Sequence, residues 1–227
     1  MPNASNVDEP IRSAIVDLIN GHAKDTALER ALFSITSSAV ELIDGVDFAD
    51  VLIMYEGGAR SVAATGPLII ELDADQLRLQ EGPCLEAAVS GAMVRCTDMR
   101  KEQRWPAFAA AAVAAGVQGS LSYQLIPQHN EVGALNLFGR APRSADQVSE
   151  SVGALLATMA TVALMTAISH KQFDAALASR DMIGQAKGIL MNHYKIDADR
   201  AFAMLRDLSQ TGNIPLRDIA QRIIDAF

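Results

Sequence analysis

Apolar residues recur every three or four positions over two early stretches. One runs from about Ile11 to Asn20-Gly21 through Ile15, Leu18 and Ile19, and the other from Thr26 to Leu42 through Leu28, Leu32, Ile35 and Ala39. Both spacings predict amphipathic helices. Phe48-Ala-Asp-Val-Leu-Ile-Met-Tyr55 then reads as a buried strand ending at Gly57-Gly58, with Ser61–Thr65 as a hairpin partner. Residues 73–91 return to helical spacing around the interruption Glu81-Gly82-Pro83-Cys84, Met93–Thr97 reads as a short strand, and Trp105–Ala115 as an alanine-rich helix stopped by Gly116. Ser120–Pro127 and Val132–Phe138 are two strands about a turn at Gln128-His129-Asn130. The sum is an α+β domain, an antiparallel sheet with helices interspersed.

No strand pattern follows Gly139. From near Ser144 the apolar positions step by three and four through Val148, Val152, Leu155, Met159 and Val162. The register continues more weakly through Thr166, Ser169, Phe173 and Ala176, and strengthens at Ile183 and Leu190. Such a seam suits a parallel dimer or a connecting helix; equally, its 148–165 part could pack on the sheet. The tail reads as three short helices around one core. Met182, Ile183, Ala186, Ile189 and Leu190 form the inward stripe of a helix from Gln172 to Tyr194. Asp197 caps a second helix with Ala201, Phe202, Leu205 and Leu208 inward, which ends at Gln210–Asn213. Pro215 opens a third, lined by Leu216, Ile219, Ala220, Ile223 and Ile224. The expected organisation is an N-terminal extension (1–23), an α+β domain (24–170) and an all-α three-helix domain (171–227), joined by a long helix.

Net charge over the 227 residues is −8, which taken whole opposes nucleic-acid binding. The charge is uneven: residues 1–170 carry 11 Lys/Arg against 20 Asp/Glu, and residues 171–227 carry 8 against 7. A nucleic-acid site must therefore come from placement of charge on one face. Cys84 and Cys96 are the only cysteines and form no paired motif, which argues against a disulfide scaffold or structural zinc and suits a reducing compartment. Cys84 follows Gly82-Pro83 at a helix start, where the helix dipole would lower a thiol's pKa, but a small buried hydrophobe is the commoner role. No run of about 20 uninterrupted apolar residues is present, and the N-terminus lacks the basic and apolar regions of a signal peptide. A soluble cytoplasmic protein without a membrane role is expected. Phosphate-cradling glycine loops, Gly-x-Ser-x-Gly and His-Glu-x-x-His are all absent, and the expectation is a protein that is not an enzyme.

Gly184 and Gly188 stand out in the tail. Each costs a helix interior roughly 1 kcal/mol relative to alanine, and four apart they share one face beside Gln185, Lys187, Asn192 and Lys195. Glycines next to cations let another backbone approach closely, either a nucleic-acid strand or a partner helix.

Arg180-Asp-Met-Ile-Gly-Gln-Ala-Lys-Gly-Ile-Leu-Met191, Ala201-Phe-Ala-Met-Leu-Arg206, Ser209-Gln210 and Leu216-Arg-Asp-Ile-Ala220 together resemble the ANTAR domain, the RNA-binding module of transcription antitermination regulators. Upstream, Glu81-Gly-Pro-Cys-Leu-Glu86, Trp105 and Gly133-Ala-Leu-Asn-Leu137 are similar to the GAF half of actinobacterial GAF–ANTAR proteins. The resemblance implies a homodimer that captures RNA hairpins, often a tandem pair, and so prevents a competing terminator stem. It implies that Lys187 and Gly188 meet the RNA backbone, with Lys187 on phosphate, and that Arg206 and Arg217 are cationic contacts. It further implies that Gln185, His193 and Asn213 read or stack loop bases. Pro215 and Ile214 stand where relatives carry a polar or basic residue. The GAF half implies a sensor with an unidentified small molecule, if any, between sheet and helices. Each contact has a plainer reading: Arg206 paired with Asp207 or Asp199, or His193 only satisfying a helix end. Two other functions remain open, a DNA-binding helix-turn-helix and a protein-interaction module. The outward Asp218 and Asp225 of the third helix oppose the first, and a comparison of duplex DNA with hairpin RNA separates them.

Overall fold

The computed structural model describes residues 26–55, 58–90, 93–125, 132–142 and 147–227. The expected helix from Ile11, the extension 1–23, the 128–130 turn and the helix start at Ser144 lie outside them. The described residues fall into two compact units, 1–168 and 169–227.

In the first unit, α1 (Thr26–Leu42) leads into β1 (Phe48–Tyr55) and β2 (Gly58–Val62), followed by α2 (Pro67–Leu79) and α3 (Pro83–Ser90). Then come β3 (Val94–Cys96), a single 3₁₀ turn (Met99–Lys101), α4 (Pro106–Ala114), β4 (Gly119–Leu125) and β5 (Val132–Gly139). The five strands form one antiparallel sheet in the order β2-β1-β5-β4-β3. The helix expected over 73–91 is two helices, and the first begins six residues earlier. Pro67 supplies the fixed φ of a first turn. Gln80 in the left-handed region and Gly82 at φ 139° make the corner between them.

Strand alternation puts Ala49, Val51 and Ile53 on one face of the sheet and Asp50 and Leu52 on the other. The first face, with Leu121, Tyr123, Leu125, Leu135 and Leu137, packs against α1. It also packs against the start of α5 (Gln147–Tyr194), a single 48-residue helix that leads into the second unit. Gly153 makes that packing close: a Cβ there would lie 2.6 Å from Tyr123 Cζ. The Tyr123 hydroxyl instead donates to the Glu150 carbonyl at 3.1 Å. On the other face, α2 and α4 close a second core around Ile69, Leu72, Trp105, Phe108 and Phe138.

Along α5 the sheet takes a line of residues adjacent to the seam and leaves most of the seam outside. The sheet takes Leu156, Ala157, Ala160, Leu164 and Ala167, while Val148, Leu155, Met159 and Val162 are exposed. Leu155 is 61% exposed and its neighbour Leu156 5%. The helix is thus apolar on two faces about 100° apart, and only one is covered by its own unit. An 18-residue window of α5 reaches a mean hydropathy of 1.9. Its Leu156–Leu164 stripe is buried on the sheet, which makes it the core helix of a globular unit.

Candidate nucleic-acid interface

The second unit is built by the end of α5 together with α6 (Ala198–Gly212) and α7 (Leu216–Ala226). Its core is Ala186 and Leu190 of α5, Ala201 and Leu205 of α6, and Ile219 and Ala220 of α7, ringed by Met182, Ile183, Ile196, Ile214, Leu216, Ile223 and Ile224. Asp197 caps α6 as expected, its carboxylate accepting the Arg200 N–H at 2.8 Å. Phe202 and Leu208, expected inward, are exposed. A bundle this small closes its core on Ala201 and Leu205, four apart, and the residues to either side of that line remain outside.

The outward side of α5 carries the residues singled out above. A Cβ at Gly184 or Gly188 would have nothing within 4 Å, so both glycines face open space. Gln185 is exposed, and Lys187 is half-buried, its neighbour Ala186 being wholly inside the core. An alkyl stem lying along apolar surface with its ammonium outward fits that burial. Past the last turn of α5, Lys195 takes the left-handed conformation at φ 55° and donates from Nζ to Asn192 Oδ1 at 3.3 Å.

The other expected contacts are more engaged with the fold. Asn213 is the left-handed C-cap of α6 at φ 48°, donating its N–H to the Gln210 and Ser209 carbonyls. The Ser209 hydroxyl donates to the Ile214 carbonyl at 2.6 Å and locks the same turn. Arg217 Nε pairs with its neighbour Asp218 at 3.3 Å. Arg206 is exposed, and among the described residues neither Asp199 nor Asp207 pairs with it. His193 lies in edge-on ring contact with Tyr194 and Phe227. Tyr194 and Phe227 were not among the expected contacts: the sequence places Tyr194 only at a helix end and gives Phe227 no role.

The first unit holds an unusual polar layer. Asp50, Asn136 and Ser122 lie side by side across β1, β5 and β4 on the face beneath α2 and α3, and all are buried. Ser61 donates to Asp50 Oδ2 at 2.9 Å, Gln76 Nε2 to Asp73 Oδ1 at 3.1 Å, and Ser122 to Asn136 Oδ1 at 2.8 Å. Gln76 Oε1 accepts the Cys84 N–H at 2.9 Å. Burial first and the Asp73 charge second push the Asp50 carboxyl well above the usual carboxylate range, and burial raises Asp73 too. Asp50 Oδ1 and Asp73 Oδ2 have no other donor among the described residues, and the two carboxyls hydrogen-bond each other, which calls for a proton on the Asp50–Asp73 pair. Burial also pushes the Cys84 thiol well up, against the lowering expected from a helix start, and takes Cys96 up to about 12. Both cysteines are buried packing residues. The motif carboxylates have structural duties: Glu81 accepts the Ala107 N–H at 2.8 Å at the start of α4, and Glu86 pairs with Arg104 at 2.9 Å. The described residues contain no cluster of His, Cys, Asp or Glu suited to a metal.

Comparisons with known proteins agree with this anatomy. No curated protein sequence matches the chain. The N-acylhomoserine lactone-dependent LuxR family transcription factor CepR2 from Burkholderia cenocepacia is similar at 19% identity and a TM-score of 0.52, covering 72% of this chain and 98% of that one. Free methionine-R-sulfoxide reductase from Neisseria meningitidis, solved with its substrate, is similar at 14% and 0.51, covering 74% and 96%. At such identities the likeness is one of fold. The family model of the ANTAR domain matches residues 171–224, and that of the GAF domain matches residues 25–165. Both are regulatory domain types, although the reductase shows that a GAF-like fold can carry an enzyme. The chain belongs to the GAF domain family, and its GAF domain is followed by an ANTAR domain.

Proposed function

We propose that the protein is a cytoplasmic transcription antitermination regulator. Its ANTAR domain, taken as 171–227, captures RNA hairpins under the control of the GAF domain, taken as 24–170. The observation that carries the reading is the outward side of α5, where two glycines open to solvent lie beside Lys187. Side chains at those positions would cost no space inside the fold and would favour the helix, so the missing Cβ atoms serve something outside it. A phosphate backbone can approach the bare helix there, with Lys187 placed for a phosphate oxygen, and the adjacent Gln185 within reach of loop bases. Arg206, exposed and without an acidic partner among the described residues, adds charge from α6.

The exposed apolar line of α5 completes the scheme. Val148, Leu155, Met159 and Val162 are exposed, and with the half-buried Val152 between the first two they alternate by four and three, the period of a two-stranded left-handed coil. A second copy of the chain presents the same line, and a two-fold pair buries both. Two linked ANTAR domains then engage two hairpins, and the second binding event gains effective concentration without new contacts. A signal read by the GAF domain acts through α5, which is common to both units.

The experiment uses the full chain and RNA selected from a pool of tandem hairpins with randomised loops. Fluorescence anisotropy should show the tandem RNA binding more tightly than either single hairpin, and both more tightly than duplex DNA of the same length. Lys187→Gln should weaken binding and reduce the salt slope by about 0.7, one single-strand phosphate contact. Equal affinity for duplex DNA, or an unchanged slope in the variant, contradicts the reading.

A further inference from the structure

Lys187 lies two turns before the end of α5, and the helix ends in a knot of rings. His193 meets Tyr194 with centroids 4.6 Å apart and planes at 80°, and Phe227, just beyond α7, at 4.7 Å and 64°. Two edge-on contacts between three rings occupy at most two of their six faces. Most of the remaining area is wet: Tyr194 is 52% exposed and Phe227 64%. Single exposed apolar side chains need no explanation, but three rings gathered from the ends of two helices form a contiguous aromatic surface.

Charge frames this surface. Tyr194 follows Lys187 by seven residues, which is within about 20° of two full turns, so both lie on one side of α5 about 10 Å apart along the axis. Lys195 comes directly after Tyr194, exposed and turned by its left-handed backbone. An apolar π-surface between two lysines is poorly matched to an aliphatic protein partner. It is well matched to a polyanion that carries flat bases.

We propose that His193, Tyr194 and Phe227 form a stacking platform for one unpaired base of the RNA loop, with Lys187 and Lys195 on the flanking phosphates. The inference rests on the RNA-binding reading and adds to it the residues that select a loop over a paired stem. A base within a stem has both faces covered by its neighbours, so only a flipped or looped base can lie on the rings. Purines, with the larger π-face, are favoured over pyrimidines. The platform reads flatness and exposure, while hydrogen-bond readout of base identity falls to other groups such as Gln185.

The test uses the full chain and the selected tandem-hairpin RNA, with 2-aminopurine placed at one loop position at a time. Binding should quench the probe strongly at one position and leave stem positions unchanged. Tyr194→Leu, which keeps apolar bulk without a π-face, should remove that quenching and weaken binding on the order of 10-fold. Tyr194→Phe should keep both, which a role resting on the hydroxyl would not allow. The platform is overturned if Tyr194→Leu binds with wild-type affinity and wild-type quenching at every loop position. If Lys187→Gln weakens binding in the same assay, the RNA reading survives that loss. Failure of the wild-type chain to bind any selected hairpin overturns both.

Discussion

Replacing Asp50 with asparagine removes the proton that the sensor half must hold to fold. In the unfolded chain the carboxyl is free to ionise above about pH 3.9. In the fold, burial and the nearby Asp73 charge keep it protonated well above that value. The folded state therefore binds a proton that the unfolded state has released. Stability is fully present below the unfolded pKa and falls as pH rises toward the folded one, by about 1.4 kcal/mol per pH unit for one proton. Asp73 draws on the same shared proton, so the pair counts once. Asparagine has the same shape. Its amide oxygen can accept the Ser61 hydroxyl that now bonds Asp50 Oδ2 at 2.9 Å, and its Nδ2 can donate toward Asp73 without titrating. Urea unfolding should be followed through Trp105, the chain's one tryptophan, which is buried in the sensor half. The difference between wild type and Asp50→Asn isolates this proton from other titrating groups. Between pH 5 and the folded pKa, the variant should gain on the wild type by about 1.4 kcal/mol per pH unit. An identical pH dependence in the two proteins would refute the shared-proton account.

Adjacent leucines on α5 should separate stability from association. Leu156→Ala should cost about 2–5 kcal/mol of sensor-half stability, whereas Leu155→Asp should leave the monomer folded and shift sedimentation velocity from dimer to monomer. Gly184→Ala should stabilise the helical unit by up to about 1 kcal/mol in thermal melts while weakening hairpin binding; gain in both measurements would show that the glycine serves no ligand. Cys84 and Cys96, both buried with raised thiol pKa values, should react with a maleimide only at the rate of sensor-half unfolding. Rapid labelling in the native protein would show that the thiols are open.

Much of this was legible in the pattern of the chain, and the exceptions have physical causes. Strand alternation in Phe48–Tyr55 and helical spacing in Thr26–Leu42 decide those elements, because one face of each is buried against a large core. The α5 seam was visible, but periodicity cannot say which of two apolar lines the sheet takes. The answer lies in volume: Ala157 and Ala160 let the helix lie close, with Gly153 over Tyr123. Phe202 and Leu208 misled because apolar residues at helical spacing read as core even where the bundle is too small to hold them. Asp50 stands in plain view inside an apolar strand, yet its partner Asp73 comes from another element, and only the fold brings the two together. In the helical unit, Gly184 and Gly188, with Lys187 beside them, stand out in the sequence because glycine is costly in a helix. Tyr194 and Phe227 do not stand out, because nothing local distinguishes an exposed ring from a packed one.

The proposal that the outward side of α5 meets RNA can be tested directly. The full chain should be bound to selected tandem-hairpin RNA, irradiated, digested, and the nucleotide-bearing peptides identified by mass spectrometry. The account predicts adducts concentrated between Gly184 and Lys195, with the aromatic positions His193 and Tyr194 prominent among them. Adducts confined to α7 or to the sensor half, with the 184–195 peptide recovered unmodified, would contradict it.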